Sequence, residues 1–229
     1  MLTKLPRWVW VGAAALAGIA GMINAVGFLS VTHQSVTHLT GTTTLFGLAF
    51  GEARWREAGY FLALIAAFVA GATFSGLTIR ERSLVLGRRY GLALMIEALL
   101  LAAAVPLLRA QSVWGDYLAS AACGLQNAMV STYSGAALRT THVSGMFTDI
   151  GIALGAMLRG LPADRLKFKL WAILIGGFAG GGAVGAIAFA RLGFGTLYVP
   201  AAITAAAGAS YWLHCRYHHV AMDAVGRGG

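Results

Sequence analysis

The stretch Thr37-His38-Leu39-Thr40-Gly41 returns 104 positions later as Thr141-His142-Val143-Ser144-Gly145. Each copy continues with one threonine and two glycines: Thr44, Gly47 and Gly51 in the first copy, and Thr148, Gly151 and Gly155 in the second. Upstream, Gly21-Met22-Ile23-Asn24-Ala25 matches Gly124-Leu125-Gln126-Asn127-Ala128. The chain is therefore predicted to contain two copies of one unit, residues 1–109 and 110–229.

The composition predicts an integral membrane protein. Of 229 residues, 58% are hydrophobic and 11% are charged, and the mean hydropathy is +0.72. A helix needs about 20 apolar residues to cross the hydrocarbon layer. Six runs meet this requirement: approximately Trp8–Ser30, Ala58–Ile79, Tyr90–Leu108, Tyr117–Gly135, Leu170–Ala190 and Gly193–Leu213. The first run is too long for the apolar core of a cleaved signal peptide.

The net charge of +9 is better explained by membrane orientation than by nucleic-acid binding. Basic residues cluster before the first, third and fifth runs: Lys4, Arg7, Arg80, Arg82, Arg88, Arg89, Arg159, Arg165, Lys167 and Lys169. Because cytoplasmic connections are enriched in Lys and Arg, these regions are predicted to share the cytoplasmic side. We therefore expect a multi-pass protein of the bacterial inner membrane with both termini in the cytoplasm.

The repeated segments 36–51 and 140–158 are too polar and short for ordinary spans, yet too apolar for ordinary loops. If both crossed the membrane, the Arg80–Arg89 cluster would move outside, against the charge bias. They are therefore predicted to be re-entrant or broken-helix elements. Each unit then crosses three times, and the expected fold is an all-α polytopic membrane protein with six transmembrane helices in a 3+3 inverted repeat.

The two broken elements predict a site near the midplane. Thr40-Gly41 and Ser144-Gly145 offer a hydroxyl N-cap and a turn, and the Gly-x-x-x-Gly pairs offer a smooth face for helix packing. If the two short helices begin deep in the protein, their N-termini approach each other. Helix N-termini carry partial positive charge and unpaired N–H groups, so such a site favours an anion or a polar solute.

These repeated motifs resemble those of the YoaK family of bacterial inner-membrane proteins, whose function is uncharacterised. The resemblance covers about Trp8 to Leu213 and rests on Gly21-Met22-Ile23-Asn24-Ala25, Thr40-Gly41-Thr42, Gln126-Asn127-Ala128 and Ser144-Gly145 with Asp149. Asn24 stands where the family usually has an acid, and Thr42 where it usually has Asn. The resemblance implies a polytopic membrane fold and supplies no substrate.

Candidate functional residues are the polar groups and turn glycines at membrane depth, because such groups are costly there and usually face a cavity. The predicted solute-binding residues are Asn24, His38, Thr40, Gly41, Thr44, Asn127, His142, Ser144, Gly145 and Thr148. The predicted proton or charge relay is Glu97, Arg139 and Asp149. Each has a structural alternative: the histidines can bond free carbonyls, the asparagines can tie helices together, Glu97 can bond a neighbouring helix, and Asp149 can pair with Arg139.

The function predicted from these features is a transporter or channel for a small anionic or polar solute. Two alternatives stay open, a membrane scaffold or sensor without transport and an intramembrane enzyme, although no established catalytic motif occurs. The expected partners are the lipid bilayer and a small solute or ion, and a homo-oligomer is compatible with the sequence. No cofactor, metal or disulfide is expected. The glycine-rich fifth run, Gly176–Gly182, is predicted to pack against a broken segment.

Overall fold

The computed structural model describes residues 7–30, 39–79, 88–133, 140–162 and 164–225. The described residues form α-helices joined by short connections and one 3₁₀ turn, Gly193–Leu197. The helices are α1 (Arg7–Leu29), α2 (Leu39–Gly51), α3 (Trp55–Thr78), α4 (Arg88–Arg109), α5 (Val113–Tyr133), α6 (Val143–Leu158), α7 (Arg165–Leu192) and α8 (Tyr198–Val225). Asp164 caps α7 by accepting the Leu166 and Lys167 amides, and Gly193 ends it at a φ of 54°.

Each of the six predicted spans overlaps one helix of the described chain, in order α1, α3, α4, α5, α7 and α8. Four stretches of the described chain are long and apolar enough to cross a membrane: Trp10–Leu29, Trp55–Thr78, Arg89–Arg109 and Arg165–Leu213. The last stretch contains both α7 and α8. Helix α5 does not reach the same hydropathy, because Asp116, Gln126 and Asn127 interrupt its apolar sequence. The protein is thus an all-helical, membrane-type chain.

Each repeated segment contains one short helix. Helix α2 has 13 residues and α6 has 16. At a rise of about 1.5 Å per residue they extend roughly 20 and 24 Å, less than the roughly 30 Å of a hydrocarbon core. Helix α2 folds back on α3 through a short connection, in which hydrogen bonds from Arg54 to Glu57 and Glu52 raise the pKa of Arg54.

The two units exchange their packing partners. Helix α1, the first helix of unit one, packs on α7 of unit two, and α5, the first helix of unit two, packs on α3 of unit one. Glycines allow the backbones of both pairs to touch. A Cβ at Gly21 would collide with the Phe178 carbonyl, and a Cβ at Gly124 would collide with the carbonyl of the equivalent Phe68.

The partner helix in each pair also contributes a glycine at a point where the two backbones touch. A Cβ at Gly181 would strike the Gly18 backbone, and a Cβ at Gly71 would strike Ala121, which is the repeat equivalent of Gly18. The close contacts in the two pairs are therefore the same contacts, made by equivalent residues. This corrects the prediction for Gly176–Gly182, because its small residues lie against α1 and not against a broken segment.

Two apolar clusters reveal the helix directions. The first cluster contains residues from the early parts of α1, α4 and α7 together with the late part of α5: Ala13, Ala17, Tyr90, Ala93, Leu170, Leu174, Leu125, Met129 and Val130. It also contains Ile79, just after α3, and packs against Tyr211 of α8. The second cluster joins the late parts of α1 and α4 to the early parts of α5 and α8. Helices α1, α4 and α7 therefore run one way, and α3, α5 and α8 run the other way.

Candidate functional site

The N-termini of the two short helices do not meet. Within the described ranges, the backbone of α2 comes close only to that of α3, and the backbone of α6 only to that of α7, while the Met146 side chain of α6 joins the first apolar cluster. Since α3 and α7 each pack on a different first helix, the short helices lie at separate edges of the bundle. The prediction of a midplane site between two half-helix N-termini is therefore wrong for this structure, and a single short helix cannot form that site alone.

The predicted hydroxyl N-caps are also wrong. Helix α6 begins after His142, whose side chain makes no capping bond, so that Ser144 already lies in the first turn. Thr44 donates its hydroxyl to the Thr40 carbonyl, and Thr148 donates to the Ser144 carbonyl, at 3.1 and 3.0 Å. Bonds to the carbonyl four residues back satisfy these hydroxyls within their own helices. The repeat thus preserves a local bond at both positions.

Several predicted residues lie on open surface instead of in a shared pocket. Five polar or glycine residues of the two short helices are exposed: Thr40, Gly41, Thr44, Ser144 and Thr148. His142 and Asp149 are exposed as well, and the His142 ring lies over half-buried Gly145. No ion pair of the described chain includes Asp149. His38 and Arg139 fall outside the described residues, as does the Asp149–Arg139 pair.

The Gly-x-x-x-Gly faces of α2 and α6 are not used for packing within the described chain. A Cβ added at Gly47, Gly51, Gly151 or Gly155 would meet nothing within 4 Å. The helices instead bury other faces, through Thr42 and Ala49 in α2 and through Met146 in α6. The smooth faces are therefore open surface, in contrast to the glycines between α1 and α7.

The buried acid predicted in the fourth helix is present and fully enclosed. Glu97 is 0% exposed in α4, and neither of its carboxyl oxygens has a hydrogen-bond partner among the described residues. Cys123 of α5 lies near enough to interact with it electrostatically. Buried polar groups are nearly always hydrogen-bonded, and acids within membrane helices usually have a functional role. Glu97 is therefore the leading candidate for a functional residue among the described residues.

Glu97 lies at the boundary between the two apolar clusters. On α4 it stands between Ala93 of the first cluster and Leu101 of the second. Gln126 of α5 reaches the same level, because its amide nitrogen donates at 2.8 Å to the carbonyl of Leu16, which packs against both clusters. The Gln126 side-chain oxygen is buried and has no protein partner in the described ranges. Polar groups therefore interrupt the core midway along the helices.

The two asparagines of the repeat are half-buried on α1 and α5. The side-chain oxygen of Asn127 is enclosed without a hydrogen-bond partner in the part of the chain described, whereas Asn24 interacts with other residues. The Asn127 amide nitrogen can still tie helices together. The roles of both asparagines in solute binding stay predictions.

Sequence reasoning missed a second buried acid, Asp116 in the first turn of α5. Asp116 is 5% exposed, and its carboxylate accepts a 3.0 Å hydrogen bond from the Tyr60 hydroxyl of α3. It belongs to a polar stripe with Ser120, Cys123 and Asn127, whose spacing of four, three and four residues places them on one helix face. At the equivalent positions α1 carries Ala13, Ala17, Ala20 and Asn24. Comparison of the two units would have revealed this asymmetry.

The site offers carboxyl groups, which can bind protons, and amide, thiol and hydroxyl groups, which can hydrogen-bond a polar solute. Among the residues whose placement is described, no group of three His, Cys, Asp or Glu side chains could hold a metal ion. Cys123 is a buried free thiol. The chemistry that the arrangement can support is therefore acid–base exchange and hydrogen bonding inside an apolar bundle.

No curated protein and no solved structure matches this chain. A family model matches it over residues 12–210, which cover most of both units and all the buried polar groups described above. The resemblance to the YoaK-like proteins is thereby confirmed. The chain belongs to the family described as protein of unknown function DUF1275, which contains the YoaK-like proteins.

Proposed function

We propose that this protein transports a small polar or anionic solute across the membrane together with protons, and that Glu97 binds the proton. The observation that carries the proposal is the full enclosure of a carboxyl group without a hydrogen-bond partner in the described chain. A carboxyl at this depth is costly, and a purely structural one would be expected to have a partner. A neutral, protonated Glu97 can remain enclosed, whereas release of the proton requires access to water.

We infer that six helices cross the membrane as a 3+3 inverted repeat. The alternation of directions along α1, α3, α4, α5, α7 and α8 supports this inference, since it turns the second unit upside down relative to the first. In inverted repeats, the substrate site lies where the units meet, and rocking of one part against the other gives alternating access. The low hydropathy of α5 is compatible with crossing because α5 packs on both α3 and α4.

The orientation that we propose places the start of α1 in the cytoplasm. The Lys169 ammonium, near the start of α7, lies 5.1 Å from the centroid of the Trp10 ring, so the two helices begin at the same level. Arg89 at the start of α4 donates to the Thr78 carbonyl at the end of α3. This end is rich in Lys and Arg, which supports the cytoplasmic side of a bacterial inner membrane.

The proposed solute is an anion or a neutral polar molecule. Among the described residues, Glu97 is the acid at the boundary between the clusters, and near it lie the Cys123 thiol and the amides of Gln126 and Asn127. The enclosed amide oxygens can accept hydrogen bonds from a neutral polar solute, whereas an anion needs a donor such as an amide nitrogen that is not already used. A protonated carboxyl adds a donor and removes the charge that would repel an anion.

Transport is tested by reconstituting the protein in liposomes and imposing a proton gradient. Weak acids, inorganic anions and neutral polar solutes are supplied in turn, and internal pH and solute uptake are recorded together. We expect at least one solute to accumulate with simultaneous proton movement, while empty liposomes show neither. Absence of flux for all three solute classes, with protein shown to be folded and inserted, would contradict the proposal.

The open glycine faces of α2 and α6 favour a second candidate function, a scaffold that assembles helices of neighbouring chains. Small residues drive close helix contacts in membranes, and these faces have no partner within the described chain. A scaffold needs no water access to Glu97. Gly47→Leu and Gly151→Leu would then abolish assembly, whereas a transporter would lose flux through changes at Glu97.

A further inference from the structure

A small cavity lies beside Asp116 at the end of the bundle where α5 begins. Its volume is about 10 Å³, close to the space that one water molecule requires. The cavity is lined mainly by apolar residues of α1, α4, α5 and the 3₁₀ turn, together with Asp116 and with Ser30 just after α1. Asp116 is the one acid in this lining, and Ser30 supplies a hydroxyl.

The Asp116 carboxyl has one donor and no counter-charge in the described chain. Tyr60 on α3 donates to one of its oxygens, and the Ser30 hydroxyl of α1 donates to the Gly27 carbonyl. On α5 itself the neighbouring titratable group is Tyr117. Helix α4 ends in Arg109, which is exposed and forms no ion pair with Asp116. The 3₁₀ turn presents only apolar side chains to the cavity.

Enclosure favours the protonated form of the Asp116 carboxyl, and the hydrogen bond from Tyr60 opposes this in part. Ionisation without a compensating positive charge would leave a charge in a largely apolar setting, which is unfavourable. A proton on the oxygen that does not accept from Tyr60 can bond a water in the cavity. A water held there would link that proton to solvent at this end of the bundle.

The polar stripe of α5 connects this site to the level of Glu97. From Asp116 to Cys123, the member of this stripe that interacts electrostatically with Glu97, the helix rises by roughly 10 Å, and Ser120 lies between them on the same face. The equivalent stripe of α1 has alanines at the first three of these positions. Only the second unit therefore carries a polar connection from a bundle end to the midpoint.

We propose that Asp116 is a proton-binding site, open to water at this end of the bundle, through which protons reach and leave Glu97. The link to Glu97 rests on the proposed transport function. The proton site at Asp116 does not, because it is a property of the folded protein at rest. The two parts are therefore tested separately.

Infrared spectroscopy of the full chain in lipid nanodiscs tests the site without any transport assay. At near-neutral pH we expect a carboxylic-acid C=O band that is lost in Asp116→Asn and unchanged in Asp149→Asn, an exposed control of the same chemistry. Tyr60→Phe should move this band to higher frequency, because the carboxyl loses a hydrogen-bond donor. After transfer to heavy water, the carboxyl proton should exchange for deuterium within the mixing time, and the band should shift accordingly.

The band should also persist in Glu97→Gln, which separates this site from the function proposed for Glu97. A spectrum that is the same for the unsubstituted protein and Asp116→Asn would show that Asp116 is ionised and would overturn the proposal. A band that exchanges with heavy water only over hours would show a sealed structural carboxyl, and would overturn it equally.

Discussion

Replacing Gly124 by alanine is expected to destabilise the folded protein by about 3 kcal/mol, at the upper end of what overpacking costs. The added Cβ would collide with the Phe68 carbonyl, and a backbone atom cannot move aside as a side-chain end can. Helices α5 and α3 must then separate along their whole contact. Thermal unfolding in detergent, followed by tryptophan fluorescence, measures the loss. Gly21→Ala should behave alike, since its Cβ would strike the Phe178 carbonyl.

Gly180→Ala is the matched control, because a Cβ added at this mid-helix glycine of α7 would meet nothing within 4 Å. Alanine favours helix over glycine by roughly 1 kcal/mol, so Gly180→Ala should leave stability equal or raise it. The same Gly→Ala substitution is thus expected to lower the stability of the folded protein at position 124 and to maintain or raise it at position 180. Equal effects at Gly124 and Gly180 would show that the exchanged packing of the two units is not present.

Replacing Glu97 by leucine is expected to stabilise the protein while abolishing transport. The carboxyl is enclosed without a partner in the described chain, and an unsatisfied buried polar group costs about 1–3 kcal/mol. Leucine has similar size and removes that cost, so Tm should rise by roughly 5 °C. When a residue that destabilises the fold is retained for its function, replacing it is expected to raise stability and to remove the function.

The control for Glu97→Leu is Leu101→Ala, at the next position along the same buried face of α4. Leu101 is fully enclosed in the second cluster, and its truncation should lower stability by about 2–5 kcal/mol. If Glu97→Leu lowers stability to a similar extent, the carboxyl has a partner that stabilises the fold. Glu97 would then be a structural residue, and the proposed proton site would lose its support.

The helices were predictable because the long apolar runs and the repeated motifs can both be recognised in one sequence. The partners of those helices were not predictable. Repetition shows that Gly21 and Gly124 are equivalent, but it does not tell whether each packs within its own unit or on the other. In the structure, each of these glycines packs on a helix of the other unit. This packing also determines where the two broken elements lie. With α2 on α3 and α6 on α7, the expected meeting of their N-termini cannot occur.

Glu97 was predictable from sequence because a single acid in an apolar run is conspicuous. Asp116 was not conspicuous, since it stands near a helix start, where an acid is favoured by the helix dipole. Its burial depends on Tyr60, which is 56 positions away in the chain. The hydroxyls of Thr44 and Thr148 show the reverse case: their repeated positions predicted solute binding, and the structure shows that each hydroxyl bonds a carbonyl of its own helix.

The most direct test of the account compares Glu97→Gln with Glu57→Gln in the liposome flux assay. Glu57 is exposed near the start of α3 and pairs with Arg54, so its substitution should leave flux unchanged. Glutamine at 97 retains size and hydrogen-bonding capacity but cannot bind and release a proton. We predict that Glu97→Gln reduces proton-linked solute flux to the level of empty liposomes. Flux at the unsubstituted rate in folded, inserted Glu97→Gln would contradict the central claim.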